Sequence, residues 1–312
     1  MQETRREVLA ALADGPVSGP ALAARLDVSR AAVWKHVEAL RDDGFEIESG
    51  DDGYALVDVP EYGGGAIEYG LDAPFEIEFH DAIDSTNRRA RDLATEGASD
   101  VVVVAASQTG ARGRLDREWS SPPGGVYLSV VCRPDLPPAQ APVYTLAAAV
   151  ATVRAAREAG VDARIKWPND VVVPDGDGGY RKLAGILTEM EGEADRVSWI
   201  VVGIGVNVNT ADEHLPAGAT SVRREAGAVE RRVFVQRLLE SFDRLRADPE
   251  AVVPAWREYA LTLGQTVRVE TPGDVVVGEA VDVEFPGALV VETDAGPRRV
   301  AAGDCEHLRP TE

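Results

Sequence analysis

Four short stretches carry residue types that could do chemistry. "QTGARGRLDREW" (108–119) places Arg112, Arg114 and Arg117 around Gly110 and Gly113 with almost nothing apolar to bury. A cationic, glycine-flanked loop of this kind either floats or closes on an anion. "KWPND" (166–170) sets Lys166 between Ile165 and Trp167, ahead of a turn formed by Pro168, Asn169 and Asp170. A lysine there is costly to desolvate unless an anion lies beside it; the bland alternative is a snorkelling side chain. The chain has only three lysines, Lys35, Lys166 and Lys182, against 29 arginines, so each lysine invites a question. "DSTN" (84–87) opens a helix, where Ser85 and Thr86 bring hydroxyls to free backbone N–H groups; taken alone it is an ordinary N-cap. "GIGVNVN" (203–209) has glycines where a backbone approaches a ligand closely, but it lacks the third glycine and following helix of a dinucleotide fingerprint.

The elements that must position these residues divide the chain in three, at 1–60, 66–260 and 262–312. Residues 5–13 have helical apolar spacing, Ser18 is an N-cap for "GPALAARLDV", and Gly44 ends the helix of "SRAAVWKHVEALRDDG". Two strand-like runs in "EIESGDDGYALVD" complete a winged helix-turn-helix, and "PEYGGG" (60–65) is a linker. From "FEIEFH" onward strands and helices mix into an α+β domain with a buried, mostly non-alternating sheet and a long amphipathic helix over "VYTLAAAVATVRAAREAG". Beyond Leu263, short strands between Gly/Pro turns predict a small β-barrel.

In the first segment Ser29, Arg30 and Lys35 are candidate contacts to phosphates and base edges; the alternative is a protein-interaction module. Residues 42–58 carry seven carboxylates and no base. Such a wing repels a phosphate backbone unless concentrated salt screens it.

Taken together and in order, "DSTN", "QTGARGR…REW", "KWPND", "KLAGIL" and "GIGVNVN" resemble the biotin–protein ligases, and "SRAAVWKHVEALRDDG" resembles the winged helix of those members that also repress biotin operons. The resemblance implies a class II synthetase-like mixed-sheet domain between the winged helix and an SH3-like barrel. It implies ATP and biotin as substrates with Mg²⁺, a biotin carboxyl carrier protein as acceptor, operator DNA as a partner, and a homodimer. By position it assigns Lys166, Arg112 and Arg114 to catalysis, and Ser85, Thr86, Asn87, Gln108, Gly113 and Gly185 with those three to biotin. Trp119, Asn169, Asn207 and Asn209 fall to ATP, and no residue to a metal. The arginine loop is then a lid that orders around its ligand and keeps water from a hydrolysable mixed anhydride. Family loops commonly have glycine where this chain has Ala111 and Asp116.

Composition bounds the rest. Two distant cysteines and no apolar run of membrane-spanning length fit the cytoplasm, with no membrane partner. A formal net charge of −21 with so few lysines fits a halophilic source. Two readings compete with the ligase: a biotin-sensing DNA-binding regulator with little ligase activity, and a lipoate-type ligase.

Overall fold

A computed structural model of the chain describes residues 2–176 and 178–308. They group into two compact units, one running from the N-terminus to Asp72 together with Glu230–Gln236, the other comprising Ala73–Val229 and the chain from Arg237 onward.

The first unit contains α1 (Glu3–Leu12), α2 (Gly19–Arg25), α3 (Arg30–Asp42), a hairpin of β1 (Glu46–Gly50) and β2 (Gly53–Asp58), and α4 (Gly64–Glu68). Its helices begin where serine oxygens satisfy free amides: Ser18 Oγ accepts from Ala21 N at 3.3 Å and Ser29 Oγ from Ala32 N at 3.1 Å. Gly44, at φ +91°, takes the left-handed turn that ends α3. Val8, Leu9 and Leu12 of α1 meet Leu22 of α2 and Val33, Val37 and Leu40 of α3 in one core. The expected linker is shorter than its sequence suggests. Gly64 already starts α4, because burying Ala66 and Ile67 outweighs the flexibility of the glycines.

The second unit begins with β3 (Glu76–His80), α5 (Thr86–Thr95), β4 (Val101–Ala105), β5 (Val126–Cys132) and α6 (Pro142–Glu158). It continues with β6 (Arg164–Lys166), β7 (Asp170–Pro174), β8 (Tyr180–Gly192) and β9 (Val197–Val206). The seven strands form one mixed sheet, ordered β3-β4-β5-β9-β8-β7-β6, in which β3 and β4 are parallel and the other pairs antiparallel. Every residue of β5 is buried, which is why the strand is apolar except for Ser129, whose hydroxyl is hydrogen-bonded to Thr86 and Asn87. On one face Ala90 and Ala94 of α5 pack against Val103, Val131 and Val201. Helix α6 corrects the amphipathic reading: it is buried nearly all round, including Ala147–Ala151, since its small side chains let it sink between β8 and its other neighbours.

After α7 (Val222–Ala226), α8 (Arg231–Ala247) and α9 (Pro249–Tyr259) come β10 (Thr266–Glu270), β11 (Val275–Glu284), β12 (Ala288–Thr293), β13 (Gly296–Val300) and β14 (Asp304–His307). These five form an all-antiparallel sheet, ordered β13-β12-β11-β10-β14. It belongs to the same compact unit as the large sheet, and the "KWPND" segment is the reason. Trp167 N donates to Thr262 Oγ1 at 2.9 Å and Trp167 Nε1 to the Gly287 carbonyl at 3.0 Å, while Arg257 pairs with Asp282 at 2.7 Å. Among the described residues no helix is long and apolar enough to cross a membrane.

Candidate active site and candidate DNA-binding helix

A cavity of about 190 Å³ opens in the second unit where the start of α5, the arginine loop and the central strands β8 and β9 converge. Its polar end is built by the first turn of α5. Ser85 is the N-cap, its Oγ accepting from Arg88 N at 3.4 Å. Gln108 Oε1 accepts from Thr86 N at 2.8 Å and lies 3.1 Å from Thr86 Oγ1; its Nε2 donates to Ser121 Oγ at 3.1 Å. The Thr86 amide can only donate, so it fixes which way the Gln108 amide faces. Asn87 Nδ2 donates to Glu189 Oε2 at 2.8 Å, and its Oδ1 accepts from the buried Ser129 hydroxyl at 2.6 Å. The result is a hydrogen-bonded set of neutral Ser, Thr, Gln and Asn groups, anchored behind the cavity on the Glu189 carboxylate.

The floor is bare backbone. Gly185 and Gly205 face each other across the β8–β9 ladder. The Trp119 ring covers them so closely that a Cβ at Gly205 would come within 2.6 Å of the indole nitrogen and one at Gly185 within 2.9 Å of the ring. Trp119 Nε1 is buried with no hydrogen-bond partner among the described residues. Gly113 lines the same cavity, and a Cβ there would meet only the Arg117 carbonyl, at 3.7 Å.

The arginine loop is tied to the rest of its unit by two of its cations. Arg114 Nη1 donates to Asn169 Oδ1 at 3.0 Å and Nη2 to the Gly303 carbonyl at 2.7 Å; Arg117 Nη2 pairs with Asp304 at 2.6 Å. The loop's cations thus find internal acceptors on β7's approach and ahead of β14. Arg117 holds the Asp304 carboxyl below the usual carboxylate range by hydrogen bonding, against the upward push of its burial. Leu115 and Asp116 sit at φ +54° and +58°. Asp116 therefore occupies the left-handed conformation that a glycine takes at no cost.

Charge in the cavity is unevenly balanced. Lys182 Nζ pairs with Asp170 at 2.7 Å and lies 5.2 Å from the centre of the Trp119 ring. Arg112 is mostly exposed, 3.9 Å from Asp116. Arg114 alone is held entirely by neutral acceptors, with no ion-pair partner among the described residues. At longer range its charge also helps hold the Asp304 carboxyl low, after Arg117 and Lys166.

Ser85, Thr86, Asn87, Gln108, Arg112, Gly113, Arg114, Trp119, Asn169 and Gly185 all line this cavity. Three of the residues singled out by sequence do not. Lys166 is buried behind it: Nζ donates to the Cys305 carbonyl at 2.6 Å and lies 5.6 Å from the Tyr180 ring. There its ammonium ties β6 of the large sheet to β14. Asn207 Nδ2 donates to the Thr220 carbonyl, and Asn209 exchanges hydrogen bonds with Val229, so both amides serve the chain itself. Sequence reasoning missed Lys182, Asp170, Gly205 and Asp304, which do line the cavity. The rarity of lysine was the available signal for Lys182; nothing local marked Asp304, which reaches the site only through the fold.

In the first unit, Arg30 and Lys35 lie exposed on α3, with Ser29 at its N-cap. Arg41 of the same helix is committed, to Glu38 at 2.6 Å and to the Ile47 carbonyl at 2.6 Å.

Known proteins share this organisation segment by segment. The Biotin/lipoate A/B protein ligase family matches residues 79–207, the Biotin protein ligase C terminal domain residues 262–308, and an HTH domain residues 4–55. The bifunctional ligase/repressor BirA of Bacillus subtilis is 36% identical over 308 residues, covering 93% of each chain. The biotin–[acetyl-CoA-carboxylase] ligase of Mycobacterium tuberculosis is 33% identical, over 73% of this chain and 89% of its own. In fold, the biotin protein ligase of Aquifex aeolicus in complex with biotin and ATP superposes with a TM-score of 0.61 at 24% identity, over 75% of this chain and 98% of its own. With a helix-turn-helix, a ligase domain and a ligase C-terminal domain in the order of its bifunctional relatives, the chain belongs to the biotin–protein ligase family, among its ligase/repressor members.

Proposed function

We propose that this protein activates biotin with Mg·ATP to biotinyl-5'-AMP, transfers the biotin to a lysine of a biotin carboxyl carrier protein, and represses transcription from an operator in response to biotin. The observation that carries the chemistry is the pairing of Arg114, a cation held only by neutral acceptors, with Lys182 in one small cavity. In the first step the biotin carboxylate attacks the α-phosphorus and pyrophosphate leaves. Two anionic groups must meet, and fixed positive charge at their meeting point lowers the barrier. Lys182 takes that place, its pairing with Asp170 holding the ammonium in position, in preference to Lys166. In the second step the carrier's lysine amine attacks the acyl carbon and AMP leaves, so the protein needs no nucleophile of its own.

Ser85, Thr86 and Gln108 offer the neutral donors and acceptors that a ureido ring requires, and Gly185 and Gly205 let the Trp119 ring lie against bare backbone at the cavity floor. Trp119 and Asn169 serve the nucleotide, and Arg112, Arg114 and Arg117 close the lid. Among the described residues no group of three His, Cys, Asp or Glu side chains could hold a metal ion unaided. Mg²⁺ enters on the polyphosphate of its substrate, since it binds through substrate phosphates and few protein carboxylates. The protein works in the cytoplasm, as a homodimer on a two-fold operator, organised as 1–60, 66–260 and 262–312, and in concentrated salt.

The test is biotin-dependent ATP–pyrophosphate exchange in 2 M KCl with lipoate as the competing acid. Exchange with biotin alone, followed by labelling of a purified carrier domain, is the expected result. Biotin binding without exchange would overturn the ligase in favour of a sensor, and exchange with lipoate alone would overturn the substrate.

A further inference from the structure

We infer that Trp34 is the residue with which the first unit reads base sequence, through the C5-methyl group of a thymine in the major groove of duplex DNA; this rests on the repressor half of the reading above. Trp34 is 57% exposed on α3, an unusual place for a large apolar side chain in a unit whose other core-forming residues are buried. It shares its face with Arg30, Ala31 and Lys35, all exposed. The spacing i, i+1, i+4, i+5 makes those four residues one surface over the first two turns of the helix, which are the turns that meet base edges in a helix-turn-helix.

Charge selects the same face. Arg5 pairs with Asp43, Arg6 with Glu68 and Arg41 with Glu38. Arg30 and Lys35 have no ion-pair partner among the described residues, so the cations left to phosphate in α3 flank Trp34. The hairpin is dominated by carboxylates: Glu46, Glu48, Asp51 and Asp52 are all exposed on it, beside an exposed Val57, and carboxylates repel the phosphate backbone. Sequence discrimination is therefore concentrated on α3.

The indole decides what is read. Bases in an intact duplex are stacked, so no ring face is open to it, and its N–H donates without distinguishing among the acceptors of the groove. The one apolar group exposed on a major-groove base edge is the thymine methyl. Side chains in a helix lean toward its N-terminus, which carries the indole over Ala31, a residue small enough to let it lie flat. Arg30 and Lys35 then set affinity and register, and Trp34 sets the preference for thymine.

The experiment selects binding sites from a pool of duplexes carrying 30 random base pairs, using the full chain with biotin and ATP in 2 M KCl. Each thymine of the selected site is then replaced by deoxyuridine, which removes only the methyl group. The expected result is about a four-fold loss of wild-type affinity at one thymine per half-site, the worth of one buried methyl. Trp34→Ala should bind the thymine and uracil duplexes alike, and Trp34→Phe should keep part of the difference. Because the indole is exposed, both variants retain the core of the first unit, which an unchanged melting curve and unchanged affinity for random-sequence duplex verify. Wild-type indifference to every deoxyuridine, an unchanged uracil effect in Trp34→Ala, or a change of oligomeric state in that variant overturns the assignment while leaving repression intact. A wild-type chain that selects no sequence overturns the repressor reading and the assignment with it, and leaves the ligase untouched.

Discussion

Lys182 and Lys166 lie on strands β8 and β6 of one sheet, with β7 between them, and their surroundings differ. Lys182 faces the cavity with a carboxylate at 2.7 Å to steady it, whereas Lys166 is buried against a carbonyl of β14. Lys182→Ala should lower biotin-dependent pyrophosphate exchange by on the order of 10²–10³-fold, the cost of removing one fixed charge from a reacting anion, with little change in melting temperature. Lys166→Met should show the reverse pattern: a lower melting temperature, and exchange per folded molecule within about ten-fold of wild type. Calorimetry beside the exchange assay separates the two. Arg114→Gly removes both ties of the loop to Asn169 and Gly303. It should speed escape of the adenylate and spread biotin to lysines outside the carrier, read as labelling of a bystander protein by mass spectrometry.

At the scale of elements, β14 holds two regions together. Asp304 tethers the arginine loop through Arg117, half-exposed and so worth a fraction of a kcal/mol to about 1 kcal/mol. Asp304→Asn should raise the adenylate's dissociation rate a few-fold without abolishing its formation, a split that rapid quench resolves. His307, three residues on, is pushed down to about 4, first by burial and then by Lys166. Its ring lies 3.1 Å from Thr262 Oγ1 and edge-on to Tyr180. As pH falls below about 6.5 the unfolded chain takes up a proton that the folded chain refuses. The stability that neutral His307 confers is therefore complete above that pH and is lost progressively toward pH 4. Melting temperature should drop across this window in wild type and drop less in His307→Gln.

For the whole molecule, charge dominates. At a formal net charge of −21, self-repulsion weakens the folded state until salt screens it. The melting temperature should rise as KCl goes from 0.1 M to 2 M. The acidic hairpin makes a sharper forecast for DNA. Ordinary binding weakens steeply with salt through counterion release, but here a two-fold or greater gain in affinity is expected over the same range, measured by fluorescence anisotropy on a selected duplex. A steady loss of affinity with salt would contradict it.

The sequence by itself determined the elements and the family. Ser18, Ser29 and Ser85 cap helices because a hydroxyl beside free amides is a local signal, and the apolar runs of β4 and β5 announce strands buried on both faces. The polar end of the cavity and the loop's arginines were legible for the same reason, since each motif is contiguous and carries its own backbone geometry. What only the tertiary structure decided is which of those residues face the same space. Strand residues alternate sides, and a lysine's surroundings depend on strands far away in the chain. Thus Lys166 is claimed by the Cys305 carbonyl, Asn207 and Asn209 by nearby backbone groups, and Lys182 is left to the cavity. The loop likewise had to be seen in place, because Gly303 and Asp304, the groups that hold it, lie almost two hundred residues further along. Local chemistry is written in spacing, but access to a ligand depends on long-range packing that no single stretch encodes.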